Sequence, residues 1–207
     1  MGYDDFEIMG MSALDPTPDE EAWEAYLDFA HPILGGDDSL GLAAQDVRRL
    51  EELVGAEVPW EIGLFLVLGV PSADGWWRWG DAAEERWAEW QTTVRASVRA
   101  AVAGGAWAAE WGERPADESA VEAAVEAGVA GAPVLLPLFE DCAVPLSVAE
   151  GLSTNIANPI LRVSAAGVEQ VGVDLADWLH QRFDVPLPMW PPSPTRSFPA
   201  WTNLHPK

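Results

Sequence analysis

At 207 residues the chain has the length of one large domain, and 49% hydrophobic residues with twelve tryptophans supply a sizeable core without disulfides or metals. Its net charge is −23, from 34 acids against 11 bases, and Lys207 is the only lysine. Nucleic-acid affinity rests on basic side chains displacing counterions from phosphate, so this balance excludes a nucleic-acid binder and suits a soluble protein or one with basic partners.

The lone Cys142 rules out an intrachain disulfide and, between two apolar runs, reads as a small core residue. The start "MGYDDFEIMG" carries acids and no base, which does not fit a secretory signal, and Phe6 stands where a myristoylation signal wants Ser or Thr. The longest apolar run, Ile62 to Val70, is well short of the roughly 20 residues of a membrane span, so the expected location is the cytoplasm.

In chain order, "TPDEEAWEAYLDFA" predicts a helix with Thr17 as cap, Pro18 in its first turn, and Trp23, Tyr26, Leu27 and Ala30 on one inward face. Glu20, Glu24 and Asp28 stack on another face at i, i+4 and i+8, as a solvated stripe or a contact ridge for a basic partner. Val47, Leu50, Leu53 and Val54 predict a helix stopped by Gly55, and Pro59 opens a mostly buried one through Ile62, Leu64, Phe65 and Leu68. The loop "GVPSADG" leads into "GWWRWGD". Trp76, Trp77 and Trp79 there read chiefly as anchors onto the body, with Arg78 stacked or paired with a carboxylate. A long helix then begins near Asp81, with Trp87, Trp90, Val94, Val98 and Ala101 on one face, and ends at Gly104-Gly105. "WAAEWGERPADES" reads as loop and "DESAVEAAVEAG" as a helix.

The second half changes character. "APVLLPLF", "CAVPL", "NPILRVS" and "GVEQVGV" predict four short strands, and "DLADWLHQRF" a helix capped by Asp174. The tail from Val185 holds seven of the 17 prolines and is expected to be extended and non-helical. Helices first and a mainly antiparallel sheet later make the class α+β. Three units are expected: an acidic extension with a docking helix at 1–36, an α+β domain at 37–185, and a proline-rich tail at 186–207.

No catalytic constellation stands out. His31, His180 and His205 are far apart in sequence, and there is no HExxH, CxxC, P-loop, GxGxxG or GxSxG pattern, so no metal, no cofactor and no enzymatic activity are expected. Asp177 and His180, three apart, read as a surface helix pair. Were the chain an enzyme, it would have a deep pocket with two carboxylates of raised pKa.

Three passages together resemble the SUKH superfamily, whose bacterial members are typically immunity proteins of toxin systems. The first is "AAQDVRRLEELVGAEVPWEIGLFLVLGV", with Leu50, Glu51, Gly55, Val58, Pro59, Phe65 and Leu66 in the family's pattern. The second is "GWWRWGD" followed by "WGERP". The third runs from "PVLLPLFEDCAVPL" through "ANPILRVSAAGVEQVGV" to "DLADWLHQRF", with Ala157 where the pattern leads one to expect glycine. The resemblance covers roughly Leu40 to Phe183. It implies a SUKH-like fold, helices packed on a twisted, mainly antiparallel sheet, and a non-enzymatic role: binding and neutralising a cognate toxin, such as a basic nuclease. The alternative is a housekeeping regulatory module of the same fold with a cellular protein partner. Candidate partner-binding residues are Glu20, Glu24, Asp28, the loop acids Asp37 and Asp38, Asp74, and Trp76 as an aromatic hot spot.

Overall fold

The computed structural model describes residues 18–35, 41–80, 83–146 and 156–204. Helix α1 spans Glu20–Ile33, and its N-cap is Asp19, whose Oδ1 accepts the Ala22 N–H at 2.9 Å. The helix thus starts after Pro18, not around it, because the second of two competent cap residues takes the first free N–H groups. Thr17 lies outside the described residues. Trp23, Tyr26, Leu27 and Ala30 are buried, as their spacing predicts.

Helix α2, Ala44–Val54, ends at Gly55 in the left-handed region (φ 73°). Glu51 Oε1 then accepts the Val58 N–H at 3.0 Å, which fixes the step into Pro59 and helix α3, Trp60–Leu68. Helix α4, Ala83–Ala103, buries Trp87, Trp90, Val94, Val98 and Ala101 along one face. A single 3₁₀ turn, Ala109–Trp111, interrupts the loop before helix α5, Glu118–Gly131, which Asp117 caps. Arg95 and Arg99 of α4 reach Glu122 and Glu126 of α5.

Four strands follow, β1 Val134–Phe139, β2 Cys142–Leu146, β3 Ile160–Ser164 and β4 Gly167–Gly172, in the order β1-β2-β3-β4 with every pairing antiparallel. The molecule is therefore α+β. β2 and β3 pair only at Cys142–Arg162 and Ala143–Leu161. Helix α6, Leu175–Phe183, starts at Asp174, whose Oδ1 accepts the Asp177 N–H at 2.7 Å. The tail contains one helical turn, α7, Pro199–Thr202, against the expectation of no helix. Pro199 occupies its first turn, where a missing N–H breaks no bond, and Trp201 is buried beneath it.

One contiguous cluster holds the core, from Trp23 of α1 to Phe198, Trp201 and Leu204 of the tail. At its centre Trp76 stacks on Phe183 (centroids 5.2 Å, interplanar 18°) and also meets Phe65, Phe139 and Trp178 within 6 Å. That ring joins α3, β1 and α6. Trp79 is also buried, against Trp77 and Trp87. Arg78 donates to the Ser72 carbonyl, and no ring or carboxylate among the described residues is paired with it. Truncating a buried tryptophan costs about 3–5 kcal/mol. Trp76→Ala and Trp79→Ala are each expected to lower the Tm by roughly 10 °C. Thermal unfolding by circular dichroism checks this, and a Tm equal to the parent's would refute the packing role.

Candidate functional site

Glu20, Glu24 and Asp28 are all solvent-exposed, in one column about 12 Å long on the outer side of α1. None of these three carboxylates forms an ion pair among the described residues. Asp74 is exposed too, and its loop is stitched to the end of α1 by Ser72 Oγ donating to the Gly35 carbonyl at 3.0 Å. His31 Nε2 of the same helix meets the Gly69 carbonyl. Asp37 and Asp38 lie outside the described residues. Trp76, 5% exposed in the aromatic cluster, offers no ring face to a partner, so the hot-spot assignment is corrected.

Exposed apolar side chains lie on the other flank of the same helix. Phe29 and Ile33, one turn apart on α1, are 54% and 44% exposed. Trp190 of the tail packs on Trp23 and Tyr26 (5.3 and 5.6 Å), and Leu187 and Met189 of the same tail are exposed. Phe29 and Ile33 were legible as the residues left off the buried helical face. The two tail residues had no sequence signal. A cleft of about 670 Å³ between α2 and the start of α4 is lined by Leu42, Leu53 and Trp79 together with Asp46, Arg49, Glu84 and Glu85.

A second polar feature is buried. Glu61 of α3 and Asp174 border one small cavity together with Trp23, Ala157 and Ser193. Burial raises the pKa of Glu61, helped by the Asp174 charge and opposed by Arg196 and by the Glu61 and Asn158 backbone N–H groups. Burial likewise raises Asp174, against the N–H bonds it receives as a helix cap. Tyr26, beside Asp174, is pushed up strongly for the same reason. The two carboxylates have the electrostatics of an acid–base pair, but the cavity is about 20 Å³, room for about one water and not for a substrate.

The remaining candidates are structural. Asp177 Oδ2 accepts from Val173 N–H and Gln181 Nε2, both at 2.8 Å, while His180 Nδ1 meets the Val185 carbonyl at 2.9 Å. The expected Asp177–His180 pair is not formed. Burial and the adjacent Asp141 push the Cys142 thiol up to about 11, which keeps it protonated and unreactive. Among the described residues no group of three His, Cys, Asp or Glu side chains is placed to hold a metal, and no helix is long and apolar enough to cross a membrane.

A carboxyl whose pKa is raised on folding favours the fold while protonated, and that stability is lost as pH rises from the ordinary carboxylate range through the raised value. Glu61→Gln is therefore expected to raise the Tm at pH 8 and leave it unchanged near pH 4. Calorimetry at the two pH values tests this, and a lower Tm at pH 8 would mean that the charged form is the stabilising one.

No family model, no curated protein and no solved structure matches the chain.

Proposed function

We propose that the chain is a non-enzymatic protein-binding module, an immunity protein of the SUKH type that binds and blocks a basic bacterial toxin domain. The observation that carries this reading is the outer side of α1, where Glu20, Glu24 and Asp28 stand exposed in one column without a counter-ion among the described residues. A toxin that cleaves or modifies nucleic acid needs a cationic cleft. An acidic column imitates the spaced charge of phosphates and would steer such a cleft onto the helix. The order of a proline-opened helix, a tryptophan loop, four antiparallel strands and a terminal helix supports a SUKH-like fold. The small size of the Glu61–Asp174 cavity weighs against an enzymatic reading.

Co-expression with the toxin-like proteins encoded beside its gene is the direct test. The expected result is a salt-sensitive complex that abolishes the toxin's activity, and failure to bind or neutralise any of them would sink the reading. Charge reversal of Glu20, Glu24, Asp28 and Asp74 together should slow association by roughly tenfold or more at low ionic strength, with little effect at high salt. Asp74→Lys alone should weaken binding with the Tm unchanged, since Asp74 is exposed and makes no contact in the core. An affinity indifferent to the fourfold reversal would remove the phosphate-mimic idea.

A further inference from the structure

The proline-rich tail passes along the Glu61–Asp174 cavity as a short strap, residues 193–196. Trp190, packed on Trp23 and Tyr26, anchors the chain before it, and the buried Phe198 anchors it after. Between these anchors the Ala157 N–H donates to the Pro194 carbonyl at 2.9 Å, and the Arg196 N–H to the Ala157 carbonyl at 2.8 Å. Thr195 Oγ1 adds a third bond, to the carbonyl of Val173, the residue before Asp174. Ser193 and Ala157 border the cavity itself. Hydrogen bonds at the periphery hold the strap, so it can open with the core intact.

Glu61 reaches the cavity from the first turn of α3, and Asp174 from the start of α6, where it is 8% exposed. The other titratable or charged groups that act on the pair are Tyr26 of α1, Asp177 of α6 and Arg196 of the strap. Tyr26, raised by its own burial, stays neutral. Asp177 adds negative charge beside Asp174, and Arg196 offsets part of the charge on Glu61. With both carboxyls ionised, two like charges share a space with room for about one water. One proton on the pair removes that repulsion, and lifting the strap relieves it by admitting solvent.

We propose that the strap is a pH-sensitive latch, closed while the Glu61–Asp174 pair holds a proton and opened as the pair becomes fully ionised, which frees residues 191–197 from the body. Burial is the largest influence on both carboxyls and raises both in the closed state, whereas opening returns them toward the ordinary carboxylate range. The closed state therefore binds more protons. Its advantage is complete below the ordinary range and is lost as pH rises through the raised values. Arg196 works the other way, because it leaves Glu61 when the strap opens, but burial outweighs it.

The test is amide hydrogen exchange in the full chain between pH 5 and pH 8, with each rate divided by the intrinsic rate at that pH. The Ala157 and Arg196 N–H groups report on the strap, and those of Val94 and Val98 in α4 on the rest of the fold. Protection at Ala157 and Arg196 is expected to fall with pH, by up to about tenfold per unit for each proton released, while α4 stays protected. The slope should shrink in Glu61→Gln and in Asp174→Asn, which keeps a helix-capping side chain, and vanish when the two are combined. Protection that is flat across this range in the parent would overturn the latch. So would a fall that survives in the double variant, or one that Val94 and Val98 share.

Discussion

Strand β1 sits at the end of the sheet, and how its outer edge is closed governs much of the rest. An end strand offers a row of carbonyl and N–H groups that invite another chain, and "VLLPLF" is apolar enough to make that contact permanent. Tryptophan donors close it. Trp201 Nε1 takes the Pro133 carbonyl, Trp90 Nε1 the Leu135 carbonyl, and Trp77 takes Leu138 with its backbone N–H (3.0 Å) and Glu140 with its indole (2.9 Å). The donors come from the tail, from α4 and from the loop before it. Leaving a buried carbonyl unpaired costs about 1–3 kcal/mol, so three distant parts of the chain are fastened to one strand by a strong requirement. The opposite edge is treated differently: the Leu204 carbonyl accepts the Val168 N–H of β4 at 2.9 Å, and Thr195 Oγ1 donates to the Val173 carbonyl just beyond it at 3.1 Å.

That arrangement explains why a tryptophan-rich loop is not a surface for bases or partners. To pair with β1 the loop must come close, and Gly75 is where it does so. Its φ is 98°, and a side chain there would sit 2.7 Å from the Phe139 ring. With the backbone held, Trp76 has nowhere to point except into the cluster of Phe65, Phe139, Trp178 and Phe183. The indole N–H groups of Trp76 and Trp79 find no acceptor there, a cost offset by the large apolar area each ring buries. A segment so constrained cannot vary freely to match partners. The outer side of α1, which owes the core only its inner face, can.

The elements were legible in the sequence where the signal is local. The 3.6-residue spacing from Trp87 to Ala101 defines α4, Asp174 marks the start of α6, and short apolar runs bounded by Pro and Gly mark the strands. The misses share a cause, dependence on something distant. Asp19 and Thr17 are equally good caps, and only the docking of α1 chooses between them. Trp76 beside Arg78 reads the same whether it faces in or out, because its neighbours belong to α3, β1 and α6. Glu61 looks like an ordinary first-turn acid of a helix, and its burial is supplied by Asp174 and the segments around Ala157 and Ser193. Of the candidate surface, the acidic column could be read from helical spacing, as could the exposure of Phe29 on the other flank of α1, whereas the exposure of Leu187 and Met189 belongs to a tail that has no periodicity.

The few arginines sharpen the charge argument. Arg95 and Arg99 are turned toward α5, Arg162 is held by Glu169 at 2.7 Å, and Arg182 lies over Phe139 and Phe183 with Glu140 beside it. Arg114 donates to the Val102 carbonyl in the last turn of α4, where a cation also meets the negative end of the helix dipole. Cations placed this way serve local structure and do little to cancel the field elsewhere. Exposed pairs of this kind are worth only about 0–1 kcal/mol each, so the fold gains little from them, while a charge of −23 works against compactness through self-repulsion. An acidic excess that the fold does not need, with no counter-ion among the described residues on the outer side of one helix, is what the proposed role as a partner surface would use.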